Sequence, residues 1–373
     1  MQLESPNIIV TVLAFVVLLS TLVVVHELGH YWVGRWFGVK AEKFSVGFGP
    51  QIYGRVDSRG TLWRIAALPL GGYVQFAGDM NPASQPDAAW QGLPEDERGQ
   101  TFQSKALWKR ALIIFAGPAV NFLLAIAIFM AFLLAYGHSV TPANVESVVA
   151  GSPAEKAGIK AGDKVLAVNG HRIDTFNALF NEVIMIPNEN AEIVVERGGE
   201  QLTVTAKVAV RTEVDRFGNK HRLGQIGIPP PTPVIEAVGV LDAPGLAVAQ
   251  TVDVVRQQIK GLGQIITGRR SVKESGGPLK IAQVSGQAMS LGILSFISLA
   301  AMISINLGFI NLLPIPMLDG GHLMLYGIEA VRRRPANAAV QEWAFRAGFA
   351  VLAAFMLMVT FNDLSSFGLF GAG

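Results

Sequence analysis

Four long apolar runs constrain this chain more than any other feature. The first, Ile8 to Val25, holds 18 residues without a charge. At about 1.5 Å per helical residue it covers about 27 Å, close to the ~30 Å hydrocarbon core of a bilayer. The second, Ala111 to Tyr136, holds 26 uncharged residues. The third, Ala288 to Leu313, carries Asn306 and Asn311 and runs into Pro314-Ile315-Pro316. The fourth, roughly Ala347 to Phe361, is the shortest and extends back toward Trp343 and Phe345. Hydrophobic residues make up 51% of the 373 and charged residues 16%, against about 25% charged in a typical soluble domain. The expectation is a polytopic α-helical membrane protein of about four transmembrane helices.

The first run reads as a retained span. MQLESPN has no basic residue, and His26-Glu27 follows where a signal peptide needs a small-residue cleavage site. The net charge of +2 gives no basic patch for nucleic acid. The absence of cysteine excludes disulfides and thiolate metal sites.

Orientation follows from the flanks. Ten Lys and Arg lie between the first two runs, and Arg332-Arg333-Arg334 between the last two. The positive-inside tendency makes both loops cytoplasmic and places the termini and the stretch 138–287 on the other face. The loop Asp79 to Gln100, rich in Pro, Asp, Glu and Gln, reads as mobile.

The stretch 138–287 has a different texture. Expected strands are Val145–Val149, Lys164–Val168, Glu192–Glu196 and Gln201–Val208, the last two joined at Gly198-Gly199. Short helices are expected at Ala154–Ala157 and about Thr175–Met185. GSPAEKAGIKAGDKVLAVNG resembles the core of a bacterial PDZ domain, which implies a groove that takes an extended peptide by strand addition. From Val252, apolar residues recur at helical spacing, so 250–266 reads as an amphipathic helix on the membrane or against the core. His138, His171 and His221 fall in or beside this insert and read as surface residues.

The sharpest chemical signal is His26-Glu27-Leu28-Gly29-His30. Residues four apart share a helix face, so both imidazoles reach one ion, and Glu27 is placed as general base for water beside it. Three ionisable side chains at the end of an apolar span are costly without a function. Zinc needs a third protein ligand. Asp319, in NLLPIPMLDGGH, ends the third span on the face where the first span ends, with His322 as competitor. Gly320 and Gly321 permit a tight backbone there. The apolar segment Trp63 to Val74, with PLGGY at its turn, reads as a membrane-dipping β-hairpin whose strand edge pairs with an unwound substrate at Gly71 and Gly72, or as a structural hairpin that seals the site from lipid.

HELGH, LPLGGYV at 68–74, GPAVN at 117–121, the PDZ-like stretch and NLLPIPMLDGGH together resemble the site-2 protease family, in the bacterial inner-membrane stress-signalling form but with one PDZ-like domain. The resemblance implies a zinc metalloendopeptidase with His26, His30 and Asp319 on Zn2+, Glu27 as catalytic base and Asn311 positioning the substrate. It implies regulated intramembrane proteolysis of single-span membrane proteins such as anti-sigma factors; clearance of remnant signal peptides, or a non-catalytic chaperone or adaptor role, are the alternatives. The expected division is 1–137 (two spans, zinc motif, hairpin loop), 138–212 (PDZ-like periplasmic domain), 213–287 (linker and membrane-proximal helix) and 288–373 (two spans, third ligand).

Overall fold

The computed structural model describes residues 7–78, 92–214, 220–267, 277–334 and 337–366. Much of the expected 79–100 loop and the side chain of His221 lie outside the described residues. The chain divides into two compact units, Met1–Ala131 with Leu241–Gly373, and Phe132–Val240.

Helix α1 (Ile8–Trp36) opens on Asn7, whose side chain accepts a hydrogen bond from Ile9 N. It is apolar nearly all round, yet it buries one face: Ala14, Leu18, Leu22, His26 and His30, each four residues after the last. The inward-packed face therefore continues directly into the two histidines. Strands β1 (Ala41–Val56) and β2 (Leu62–Phe76) follow and pair antiparallel with an interrupted register. Residues 41–46 pair with 72–76 on one side and with 62–65 on the other, while 51–56 pair with 62–66. The two strands thus fold into four short runs. The run 72–76 is an edge among the described strands. Phe44, Val74, Phe76 and Phe102 bury this sheet against Tyr31 of α1 and Ile113. Helix α2 (Glu95–Arg98) is a single turn. Helix α3 (Leu107–Tyr136) carries Pro118 in its interior.

The second unit contains β3 (His138–Val140), α4 (Pro153–Lys156), β4 (Lys164–Val168), β5 (His171–Arg172), α5 (Phe176–Ile184), β6 (Asn190–Arg197), β7 (Glu200–Lys207), β8 (Ala209–Val214), β9 (Lys220–Gln225) and β10 (Val234–Glu236). Ser152 and Thr175 cap α4 and α5 by accepting from the third amide of each helix. The central sheet runs β5-β4-β6-β7, all antiparallel; β8 and β9 form a hairpin, and β3 pairs with β10. Phe176, Leu179 and Val183, one face of α5, pack on Val165, Val168, Ile193 and Val195. The expected strand Val145–Val149 does not form. Val145 instead exchanges backbone bonds with Gly162 and Asp163, a single bridge rather than a ladder. Hairpin β8–β9 was not anticipated.

The first unit resumes with α6 (Ala243–Ile266), α7 (Pro278–Ser290), α8 (Ile293–Asn311), α9 (Asp319–Arg332) and α10 (Ala338–Ser366). The third apolar run begins its span later than expected. Gly292 adopts φ +116, a conformation no L side chain takes easily, and it separates α7 from α8. Asp363 of α10 is buried and accepts backbone N–H bonds from Gly277, Leu279 and Lys280 at 3.0, 3.1 and 3.1 Å, capping α7 from another helix. Among the described residues four helices are long and apolar enough to cross a membrane: Ile8–Trp36, Leu107–Tyr136, Ile293–Asn311 and Val340–Leu364.

Candidate metal centre

His26 and His30 lie one turn apart on the buried face of α1, each 7% exposed. Asp319 opens α9, brought there by the turn 312–318 that follows α8. His26 Nε2 stands 3.2 Å from His30 Nε2 and 3.1 Å from Asp319 Oδ2; His30 Nε2 stands 3.5 Å from Asp319 Oδ1. Two donors at 2.0–2.1 Å from a tetrahedral ion are separated by about 3.3 Å. The observed spacings lie close to that edge, the two distances to Asp319 being to its two different oxygens. His322, also buried, lines the same cavity but stacks toward Phe345 and Tyr326, at ring separations of 5.2 and 6.4 Å. The cluster of three donors that fits one ion contains Asp319 and the two α1 histidines.

The histidine tautomers support the same occupant. His30 Nδ1 is 2.8 Å from the Ile113 carbonyl, which can only accept, so Nδ1 carries the proton and Nε2 offers a lone pair to the centre. The Asn121 side-chain amide is 3.1 Å from His26 Nδ1. A lone pair and a carboxylate converging in a buried space repel unless a cation lies between them. The residues present therefore fit zinc.

Glu27 faces the sheet. Its Oε2 accepts a 3.0 Å hydrogen bond from Val74 N on the free edge of the 72–76 run. Backbone groups alternate along a strand, so Gly72 presents its own on that same edge. Gly72 leaves no room for a side chain: a Cβ there would meet Ser45 O at 2.7 Å and press on Val23 at 3.2 Å. Gly71 sits just outside, at φ +119 with Phe48 against it. A cavity of about 200 Å³ joins these groups, lined by His26, Glu27, His30, Gly72, Tyr73, Val74, Asn311, Met317, Asp319 and His322 among others. Asn311, the last residue of α8, thus reaches the cavity, whereas Gly71 does not line it. Sequence reasoning missed Val74, the Ile113 carbonyl and Asn121 as neighbours of the centre. For Asn121 a signal existed: Ile113, Gly117 and Asn121 repeat the four-residue spacing of the histidines.

The model of peptidase family M50 matches residues 14–355. The chain belongs to peptidase family M50. This family, that of the site-2 proteases, is zinc-dependent, and the M50 chain described here is a zinc metalloprotease of the membrane. It is 43% identical to a protein of Agrobacterium fabrum named "Putative zinc metalloprotease", over 95% of this chain and 96% of that one. It is 35% identical to a protein of Caulobacter vibrioides named "Metalloprotease MmpA", over 97% of each. A solved PDZ domain of the SdrC-like protein from Listeria monocytogenes matches 24% of this M50 protease and 90% of that chain, at 16% identity and a TM-score of 0.18.

Proposed function

We propose that this M50 protease cleaves single-span membrane proteins within or beside the bilayer, with His26, His30 and Asp319 as its zinc ligands and Glu27 as its base. The observation that carries the reading is the convergence of three donors, from two stretches far apart in sequence, at tetrahedral spacing beside a carboxylate tied to a strand edge. Zinc, when bound, acidifies water and polarises a carbonyl. Glu27 takes the proton of the attacking water and passes it to the leaving amine nitrogen. Its bond to Val74 N fixes one carboxylate oxygen at the edge where a substrate backbone lies.

A helical substrate hides its carbonyls in i to i−4 bonds, so an extended conformation must be stabilised before attack. The free edge at Gly72 supplies backbone partners for such a segment, Gly71 lets the chain turn into that edge, and Asn311 holds the substrate backbone at the other wall. The exposed apolar residues Phe48, Ile52, Tyr53, Ile65 and Leu68 support a hairpin that dips into lipid. The basic loops orient the site toward the cytoplasm of a bacterial inner membrane and the second unit, with the termini, toward the periplasm. That unit is read as a PDZ-like peptide-binding module. A cavity of about 480 Å³ between α5 and residues 223–230, walled by Phe176, Leu179, Phe180 and Ile226, suits an apolar peptide side chain. Anti-sigma factors are the substrate class that the resemblance to stress-signalling site-2 proteases implies.

The test is incubation of detergent-purified protein with a tagged single-span substrate. Glu27→Gln is expected to lower cleavage about 10²–10⁴-fold while zinc content stays at one per chain. Equal cleavage by both forms sinks the mechanism. Asp319→Ala is expected to lose zinc as well as activity, and an unchanged zinc content rejects Asp319 as a ligand.

A further inference from the structure

Helix α3 meets α1 along one face, and three contacts on that face bear on a histidine. Ile113 accepts from His30 Nδ1 at 2.8 Å. One turn on, Gly117 sits against both rings; a Cβ there would collide with His30 and lie 2.9 Å from His26 Cε1. One further turn on, the Asn121 amide stands 3.1 Å from His26 Nδ1. Residues 113, 117 and 121 descend α3 as 30 and 26 are met on α1, so the two helices run antiparallel in register at a common four-residue spacing.

Asn121 is fully buried, and so is Ser304, whose hydroxyl donates to the Asn121 backbone carbonyl at 2.8 Å and anchors this turn of α3 to α8. The Asn121 Oδ1 has no hydrogen-bond partner among the described residues. A half-turn of the amide exchanges Oδ1 and Nδ2 without changing its shape. Oδ1 then accepts from a protonated His26 Nδ1, and His26 Nε2 is left with its lone pair toward Asp319. With Nδ2 toward the ring, Nδ1 is the acceptor and the proton moves to Nε2, 3.1 Å from Asp319 Oδ2.

We infer that Asn121 is a positioning residue for the metal centre: its side-chain oxygen fixes His26 in the tautomer and ring orientation that ligate, as the Ile113 carbonyl does for His30. The inference rests on the ligand assignment above. Groups that hold the far nitrogen of a ligating histidine typically change metal affinity by about 10- to 100-fold when removed.

The experiment is chelator-competition titration of zinc on the detergent-purified full chain, with the absorption spectrum of the Co2+-loaded protein as a second readout. Asn121→Ala is expected to weaken zinc binding about 10- to 100-fold and shift the Co2+ bands, with the melting temperature of the metal-free protein kept. Asn121→Asp retains the acceptor and is expected to bind zinc at least as tightly as the natural chain; it also tests the inference if the alanine variant does not fold. Affinity within twofold for Asn121→Ala, or a tenfold loss for Asn121→Asp, overturns the role. Absence of stoichiometric zinc on the natural chain overturns the ligand reading itself, so the two failures are told apart.

Discussion

At the scale of single residues, the centre depends as much on side chains that are missing as on those present. Gly117 has none, and a methyl group there meets both imidazoles while Ile113 prevents the His30 ring from turning aside. Gly117→Ala is therefore expected to lower zinc affinity at least about tenfold, by the magnitude that misoriented ligands lose. Metal content after dialysis against a weak chelator checks this. The proposed ligands were legible in the sequence, because His26, His30 and the Asp319 turn are local patterns that can be read before any tertiary contact is known. Their backbone partners were not. The Ile113 carbonyl and Val74 N–H belong to groups every residue carries, and only the register of α3 and of the edge strand selects which of them meet the site.

At the scale of elements, long apolar runs predicted the membrane helices well because length and charge-free composition decide that outcome. Their ends were less legible. The break at Gly292 is a backbone conformation, and α7 is too polar to announce itself as part of a packed bundle. Helix α7 is nonetheless fastened at its start by Asp363, three amides to one carboxylate. Asp363→Ala leaves those N–H groups without their acceptor and is expected to cost about 2–4 kcal/mol. Asp363→Asn, which keeps one acceptor oxygen, is expected to lose roughly half as much. Thermal unfolding in detergent distinguishes them.

At the scale of the whole molecule, the unit Phe132–Val240 has its own core and its own electrostatic weak point. Asp163 is 1% exposed and receives Arg197 Nε and Nη2 at 2.6 and 2.7 Å, with Lys160 N at 2.8 Å. The Arg197 hydrogen bonds hold its carboxyl below the usual carboxylate range, against the effect of its burial. Because the folded value is depressed, this contribution is fully present above the unfolded pKa of about 3.9 and fades as pH falls through the lower, folded one. Unfolding of this unit is thus expected to become easier only below about pH 4, with neutral and alkaline conditions neutral in effect. Arg197→Met strands a buried anion. It is expected to lower the melting temperature at pH 7, by less than the loss of a fully buried pair because Arg197 is partly in water. In the other unit, Gly29 sits between the two histidines with the Ala116 backbone directly against it. A larger residue at 29 would therefore force the two backbones apart at that point. The turn that delivers Asp319 to the same cavity holds Met317 at φ +85, so that wall is kept in a backbone conformation an L side chain adopts only at a cost.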